Sequence, residues 1–424
     1  MIMQKRTLSL SFLAAAIAGV AILASDPVRA DWPQFLGPSR NGHSDGAKLA
    51  SSWPPTGPKK LWEVKVGMAF SAPVVVGDSV IVLYRQGDAE IVDCLDAANG
   101  KRRWHDSLPT AYRDSFGFNN GPWSTPTVQG DLVFALGAGG SLRCLKFATG
   151  KRVWSVDTHK EFQVEPGFFG DSCSPLVEGK LVLLNVGGKQ AGIVAFHIGD
   201  GKVAWKATDH DASHSSPVAA TIAGKRRVVF FTRRGLVVLD PENGDVKADV
   251  YWRARIRSSV NAATPIVQGD RVFISTEYGV GATLLDLAKE EPKTIWESDD
   301  ALTNHYATSV YRQGHLYGFH GRQEQGTELR CVGFEKGDVR WKERLSGSGT
   351  VLVSGEMLVI LTEKGELTLA RATPEKFEKL AQAKILDQTI RAYPALAGGK
   401  LYARNQSKLI CVDLSSMSSE AGAR

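Results

Sequence analysis

The sequence predicts an all-β fold, an eight-bladed β-propeller of four-stranded blades. Three observations carry this: a unit of roughly 40 to 50 residues repeated eight times, short β-branched runs between glycine turns, and a last repeat that lacks one strand while an orphan strand precedes the first. The unit reads Ser-x-Pro, a Gly four residues after the Pro, two apolar alternating runs, then Gly-Lys-x-x-Trp. Copies start at Ser71-Ala72-Pro73, Ser124-Thr125-Pro126, Cys173-Ser174-Pro175, Ser215-Ser216-Pro217 and Ala263-Thr264-Pro265. They fade at Thr308-Ser309-Val310 and Gly349-Thr350-Val351 and return at Ala392-Tyr393-Pro394.

Within a copy, runs such as Asp131 to Leu136 and Ser141 to Lys146 are rich in apolar and β-branched residues and are bounded by glycine turns, so they read as strands. No window of the repeats sustains an i, i+3, i+4, i+7 apolar stripe, which excludes a helical solenoid. Trp104, Trp154, Trp205 and Trp341 each stand four residues after a glycine, and Trp252 and Trp296 read as the same position after longer loops. One large ring per blade at one position suits wedges packed between neighbouring sheets.

The eighth copy ends at Leu409-Ile410-Cys411-Val412-Asp413-Leu414 without its Trp-bearing strand, and Lys60-Leu61-Trp62-Glu63-Val64-Lys65-Val66 is a strand of that kind without a blade. Pairing the two closes the ring and removes the exposed sheet edges of an open array.

The run Val92-Asp93-Cys94-Leu95-Asp96-Ala97-Ala98-Asn99-Gly100-Lys101-Arg102-Arg103-Trp104 resembles the PQQ-like, or quinoprotein-type, propeller repeat, and the resemblance covers about residues 60 to 414. That family holds quinoprotein alcohol and sugar dehydrogenases, with PQQ and a Ca ion over the propeller axis. It also holds cofactor-free scaffolds, among them the eight-bladed outer-membrane assembly factor BamB. The opening Asp31-Trp32-Pro33-Gln34-Phe35-Leu36-Gly37-Pro38 is similar to the start of many secreted propellers, with Leu36 where an Arg is usual.

Lys5 and Arg6, the apolar stretch from Leu8 to Ala24 and Val28-Arg29-Ala30 read as a secretory signal cut between Ala30 and Asp31, which places the mature protein in the periplasm or outside the cell. The segment carries three basic residues and one acidic, so the formal charge of +6 falls to +4. This mild excess, without a long Lys/Arg run, argues against nucleic acid as a partner. No second apolar segment is long enough to span a bilayer. Residues 31–59 read as an irregular, proline-rich lead-in, residues 60–414 as the propeller and residues 415–424 as a flexible tail.

Five cysteines in an exported chain invite a disulfide reading, yet Cys94, Cys144, Cys331 and Cys411 occupy the same third-strand site in four blades. Packed sheets lie about 10 Å apart, too far for a bridge. The cysteines are expected to be buried and free. The chain lacks the adjacent Cys-Cys pair that lies against the quinone in many dehydrogenases of the family, and it lacks a haem-attachment motif.

Propeller chemistry sits by default at the channel mouth formed by segments entering the innermost strands. The residues just before each Ser-x-Pro mark supply the candidates: Trp123, Asp171, His214, Asn261, Asn304, His305 and Arg391, with Phe70, Asn120, Phe169, His210, Arg257 and Tyr306 beside them. Such a ring can hold an anionic ligand, with arginine as the fork that grips a carboxylate. The competing reading is that these polar groups hydrogen-bond the loops to one another. His210-Asp211-Ala212-Ser213-His214 imitates a zinc motif but lacks the helix and the glutamate that the motif needs, so no metal is expected. Phe116-Gly117-Phe118 and Phe168-Phe169-Gly170 lie in the two longest loops, as a binding surface or as a lid.

Two functions follow. One is an exported scaffold without cofactor that binds a protein or peptide partner in the cell envelope. The other is a quinoprotein dehydrogenase using PQQ with Ca, in which Asp171, as the one well-placed acid, would be the base. The single acid at the mouth favours the scaffold.

Overall fold

The computed structural model describes residues 31–44, 48–165, 170–254, 256, 259–289 and 291–415. The signal segment, Phe168, Phe169, Arg257 and the tail beyond Ser415 lie outside the described residues. Eight antiparallel blades follow one another around an axis, and the first seven run from the innermost strand outward in chain order. Blade 1 is Val74–Val76, Ser79–Gln86, Ala89–Asp96 and Arg102–Pro109. Helix is confined, among the described residues, to Thr158–Phe162 and a single 3-10 turn at Gln323–Gln325.

Blade 8 takes three strands from the end of the chain, Ala395–Ala397, Lys400–Arg404 and Lys408–Asp413, and its outermost from the beginning, Lys59–Lys65. Trp62 pairs with Cys411 and Lys65 with Lys408, as the orphan strand requires. A buried Arg404 pins the same seam, donating from Nη2 to the Gly67 carbonyl at 2.6 Å and from Nη1 to the Leu83 carbonyl of blade 1 at 3.3 Å.

The repeated tryptophan is explained by what it touches in the next blade. Trp104 donates from Nε1 to the Phe147 carbonyl at 2.7 Å and lies flat beneath Gly150. Gly150 has φ +70, and a Cβ there would stand 2.5 Å from the indole, so only glycine fits. The same hydrogen bond recurs from Trp62 to Ala97, Trp154 to Ile198, Trp205 to Pro241, Trp296 to Phe334 and Trp341 to Thr373. Cys94, Cys144, Cys331 and Cys411 lie directly opposite Trp104, Trp154, Trp341 and Trp62, and all five cysteines are buried and free.

Two expectations of register are corrected. Trp252 does not occupy the tryptophan site of blade 4, because the outer strand Val246–Tyr251 ends before it and Ala248 pairs with Val238 in that place. The spacing of four residues from the turn glycine holds, counted from Gly244, whose φ of +78 lets it stack on Trp205. In blade 6 the entry is Ala307-Thr308-Ser309, one residue earlier than the repeat suggests. The turn there is Gln313-Gly314, with Gln313 rather than glycine at the first left-handed position, φ 46.

The middle residues of the entry triplets form two hydrogen-bonded arcs around the axis, Ala72 to Ser216 and Thr264 to Tyr393. The Ala72 amide donates to Thr125 Oγ1 at 3.1 Å, Thr125 to Ser174 Oγ at 3.0 Å and Ser174 to Ser216 Oγ at 3.0 Å. Thr264 donates to Thr308 Oγ1 at 2.9 Å, and the Thr308 amide to the Tyr393 hydroxyl. Each bond joins adjacent blades except the last, in which the long Tyr393 side chain reaches past blade 7.

The lead-in is built into the ring. Trp32 exchanges two backbone hydrogen bonds with Val75 of blade 1, and His43–Ser44 pairs in parallel with Val353 and Ser354 of blade 7. Between them, buried Arg40 donates to the Ser174 carbonyl at 3.2 Å, the Pro217 carbonyl at 3.0 Å, Thr127 Oγ1 at 3.3 Å and the Pro175 carbonyl. One guanidinium therefore ties blades 2, 3 and 4 together across the axis. Trp32, Leu36 and Leu49 join the apolar cluster of blades 1, 7 and 8. Blade 7 has Ala381 where most blades have tryptophan, and Trp53 of the lead-in packs in that cluster.

Candidate functional site

The mouth opposite this plug is an aromatic pit. Phe35, Phe70, Trp123, Tyr306, Tyr393 and Arg391 line it, together with His214, Ala262 and the serines Ser172, Ser174 and Ser216. Its volume is about 90 Å³. Phe35 belongs to the plug, so the pit does not continue through the ring as an open channel. The rings meet edge to face: Phe70 to Trp123 at 5.0 Å, Trp123 to His214 at 5.1 Å and Phe35 to Tyr393 at 5.1 Å.

Arg391 stands over this wall. Its guanidinium carbon lies 5.5 Å from the Phe70 ring centroid, 5.6 Å from Tyr306 and 5.7 Å from Phe118, which places the cation on aromatic faces. Among the described residues it has no hydrogen bond and no ion pair, and its Nε is buried without an acceptor. Outside it, Phe116 and Phe118 stack at 6.3 Å and leave 50% and 49% of their surfaces exposed.

The expected mouth residues separate into three groups. Trp123, His214 and Arg391 come together in the pit, with Phe70 and Tyr306. Asn261 and Asn304 do not contribute side chains to it. The Asn261 amide donates to the Thr232 and Trp252 carbonyls at 2.8 and 3.0 Å, and Asn304 donates to Ser309 Oγ and the Phe319 carbonyl, both at 3.0 Å. These asparagines hold loops. Asp171 and His305 do not line the pit. Asp171 stands 2.9 Å from His159 Nε2, on a wide polar cleft of about 860 Å³ beside blades 2 to 4, and His305 Nε2 lies 3.0 Å from the Tyr278 hydroxyl.

Burial sets the protonation states. It lowers His214 to about 4 and His305 to about 4, so both are neutral at pH 7 and the positive charge over the pit belongs to Arg391. Burial also raises the Asp171 carboxyl, with the His159 contact working against it. For His159 burial acts downward, yet the contact with Asp171 outweighs it and leaves the imidazole above its ordinary range.

The zinc-like pair does not converge. His210 Nδ1 meets Thr232 Oγ1 at 3.0 Å and its Nε2 faces Asp249 at 3.2 Å, whereas His214 turns to Trp123. The described residues contain no group of three His, Cys, Asp or Glu placed to hold a metal ion. A quinone and a hard cation need a pocket of at least about 300 Å³ and several converging oxygen donors. The aromatic pit supplies neither, so its residues do not fit that centre.

Sequence reasoning missed Arg40, Phe35 and the plug. The available signal was the apolar content of Trp32, Phe35 and Leu36 in a segment otherwise composed like a loop.

A family model described as outer membrane protein assembly factor BamB matches residues 49–164 and 88–318. The chain is 21% identical over 292 residues to BamB of Yersinia pestis, covering 65% of this chain and 70% of that protein. It is 25% identical over 239 residues to BamB of Burkholderia pseudomallei, covering 54% and 56%. Among solved structures, BamB of Moraxella catarrhalis superposes with a TM-score of 0.61 at 13% identity, over 87% of this chain and 100% of that one. Quinohemoprotein alcohol dehydrogenase of Comamonas testosteroni superposes at 0.65 and 13% identity, over 93% and 82%. Similarity at this level establishes the shared fold alone. With eight closed blades, the repeat and the family match in agreement, the chain belongs to the PQQ-like propeller family of the outer membrane protein assembly factor BamB.

Proposed function

We propose that this chain is an exported, non-catalytic binding propeller of the cell envelope that takes a protein or peptide partner at its axial mouth. The observation that carries this reading is the occupation of the axis by the chain's own Trp32 to Ser44 segment. It leaves a shallow aromatic pit rimmed by exposed Phe116 and Phe118. Exposed apolar rings beside a pit mark an interaction surface, and the BamB relatives are named for outer membrane protein assembly. Export rests on the signal-like residues 1–30, and no described helix is long and apolar enough to cross a membrane. The quinoprotein reading rests on the shared fold, and its one candidate base, Asp171, is engaged by His159 on the polar cleft that shares His214 with the pit and does not line the pit itself.

The test is photo-crosslinking in living cells, with a photoreactive residue at Phe118 and, as control, at Asn243 on the opposite end of blade 4. A discrete adduct with an envelope protein from position 118 and none from 243 is expected. Equal labelling at both positions would refute the mouth as the binding surface.

A further inference from the structure

We infer that the pit receives the C-terminus of a partner polypeptide: a free carboxylate held by Arg391, with the apolar last side chain seated among Phe70, Trp123 and Tyr306. This rests on the reading of the chain as a binding propeller and specifies what it binds. Four features of the pit lead to it.

The first is charge. Arg391 lies on three aromatic faces and makes no ion pair or hydrogen bond with the described residues, and its Nε is buried without an acceptor. A buried guanidinium donor without an acceptor is costly, and a planar carboxylate answers it with two oxygens in matching geometry. Aromatic faces fix the guanidinium plane and so lower the ordering cost of binding.

A second feature is the hydroxyl of Ser172, which lines the pit, is 7% exposed and has no hydrogen-bond partner among the described residues. It offers one more donor or acceptor to a ligand in the pit.

Size is the third. A pit of about 90 Å³ corresponds to roughly three water volumes of ~30 Å³ each, which suits one aliphatic side chain or part of an aromatic ring.

The fourth is that the pit is blind. Phe35 forms part of its wall, and the plug behind it is tied to blades 1, 2 and 7 through Trp32, Pro33 and Gly42. A chain cannot thread the axis, and in so small a pit a chain end brings both a side chain and a terminal charge to Arg391, which an internal segment does not. Of the two ends, the cationic arginine selects the carboxylate over the ammonium.

Calorimetric titration of the mature protein tests this with a ten-residue peptide ending in Leu with a free carboxylate, the same peptide as C-terminal amide, and a version ending in Ser. The acid form is expected to bind at least tenfold more tightly than the amide, with the Ser form weaker than the Leu form. Arg391→Gln should erase the difference between acid and amide, and Arg391→Lys should restore part of it. Thermal melts of both variants report that the fold is intact, and should Arg391→Gln unfold, the acid-to-amide ratio in the unmodified protein still decides.

Equal affinity for acid and amide would overturn the inference. So would binding of free 3-phenylpropionate as tight as that of the peptide, which would make the pit a site for small aromatic acids. If no peptide binds while position 118 still crosslinks an envelope protein, the inference fails and the binding reading stands. If both are negative, both fail.

Discussion

The guanidinium of Arg40 lies 3.0 Å from the carbonyl of Pro217, 177 residues further along the chain, and by the same group reaches blades 2 and 3. Burial lowers its pKa to about 10, so it remains a cation at neutral pH, surrounded by carbonyl and hydroxyl oxygens. The lead-in that the sequence marks as irregular is thus a structural member of the ring.

Arg40→Met is predicted to cost about 3 kcal/mol, because a buried acceptor left without its donor costs about 1 to 3 kcal/mol. The Ser174 and Pro217 carbonyls would lose their side-chain donor, Thr127 Oγ1 would lose the guanidinium, and the Pro175 carbonyl would keep only the Thr127 hydroxyl at 2.6 Å. Chemical denaturation at pH 7 measures it, and a loss under about 1 kcal/mol would show that water replaces the guanidinium.

Ring closure gives a second prediction. Trp62→Ala should destabilise by about 3 to 5 kcal/mol, the range for a buried large aromatic, because the indole fills the seam between blades 8 and 1 and donates to Ala97 at 2.9 Å. Deleting residues 31–66 should leave the edge of Lys408–Asp413 unpaired and produce aggregation. A truncated protein that stays monomeric by light scattering and melts like the whole chain would contradict this topology.

The buried histidines predict a pH dependence. Burial lowers His320 to about 4, below the roughly 6.5 of an unfolded chain. Its contribution is fully present above about 6.5 and is lost as pH falls from there towards about 4, since the unfolded state then binds the extra proton. Comparing the unmodified protein with His320→Gln isolates this term from His159, whose raised pKa acts in the opposite sense. Between pH 6 and 5 the unmodified protein should lose about 1.4 kcal/mol per pH unit more than the variant. Parallel stability curves would contradict the assignment.

The blade architecture was legible because its determinants are local and repeated. Glycine at a left-handed turn, a ring four residues later and β-branched alternation recur often enough that Trp62 is assignable to the blade of Cys411, 349 residues away. Trp252 is conspicuous but off the spacing, which from Gly244 points to Ala248, the residue that pairs with Val238. The plug was not legible, because Arg40 satisfies blades 2, 3 and 4 through contacts 87 to 177 residues apart that leave no local pattern. At the mouth, sequence position alone could not separate Arg391, which faces the pit, from Asn261 and Asn304. Whether a polar loop residue meets a ligand or a neighbouring carbonyl depends on side-chain direction, and here both amides point into the loops.

We propose that the axis of this propeller serves binding and not quinone chemistry. Its most direct test is dye-linked turnover by the purified mature protein supplied with quinone, Ca²⁺ and a panel of primary alcohols and aldoses. A flat trace is expected from protein whose melting curve shows intact folding. Saturable dye reduction that disappears in Asp171→Asn would contradict it and make Asp171 a catalytic base.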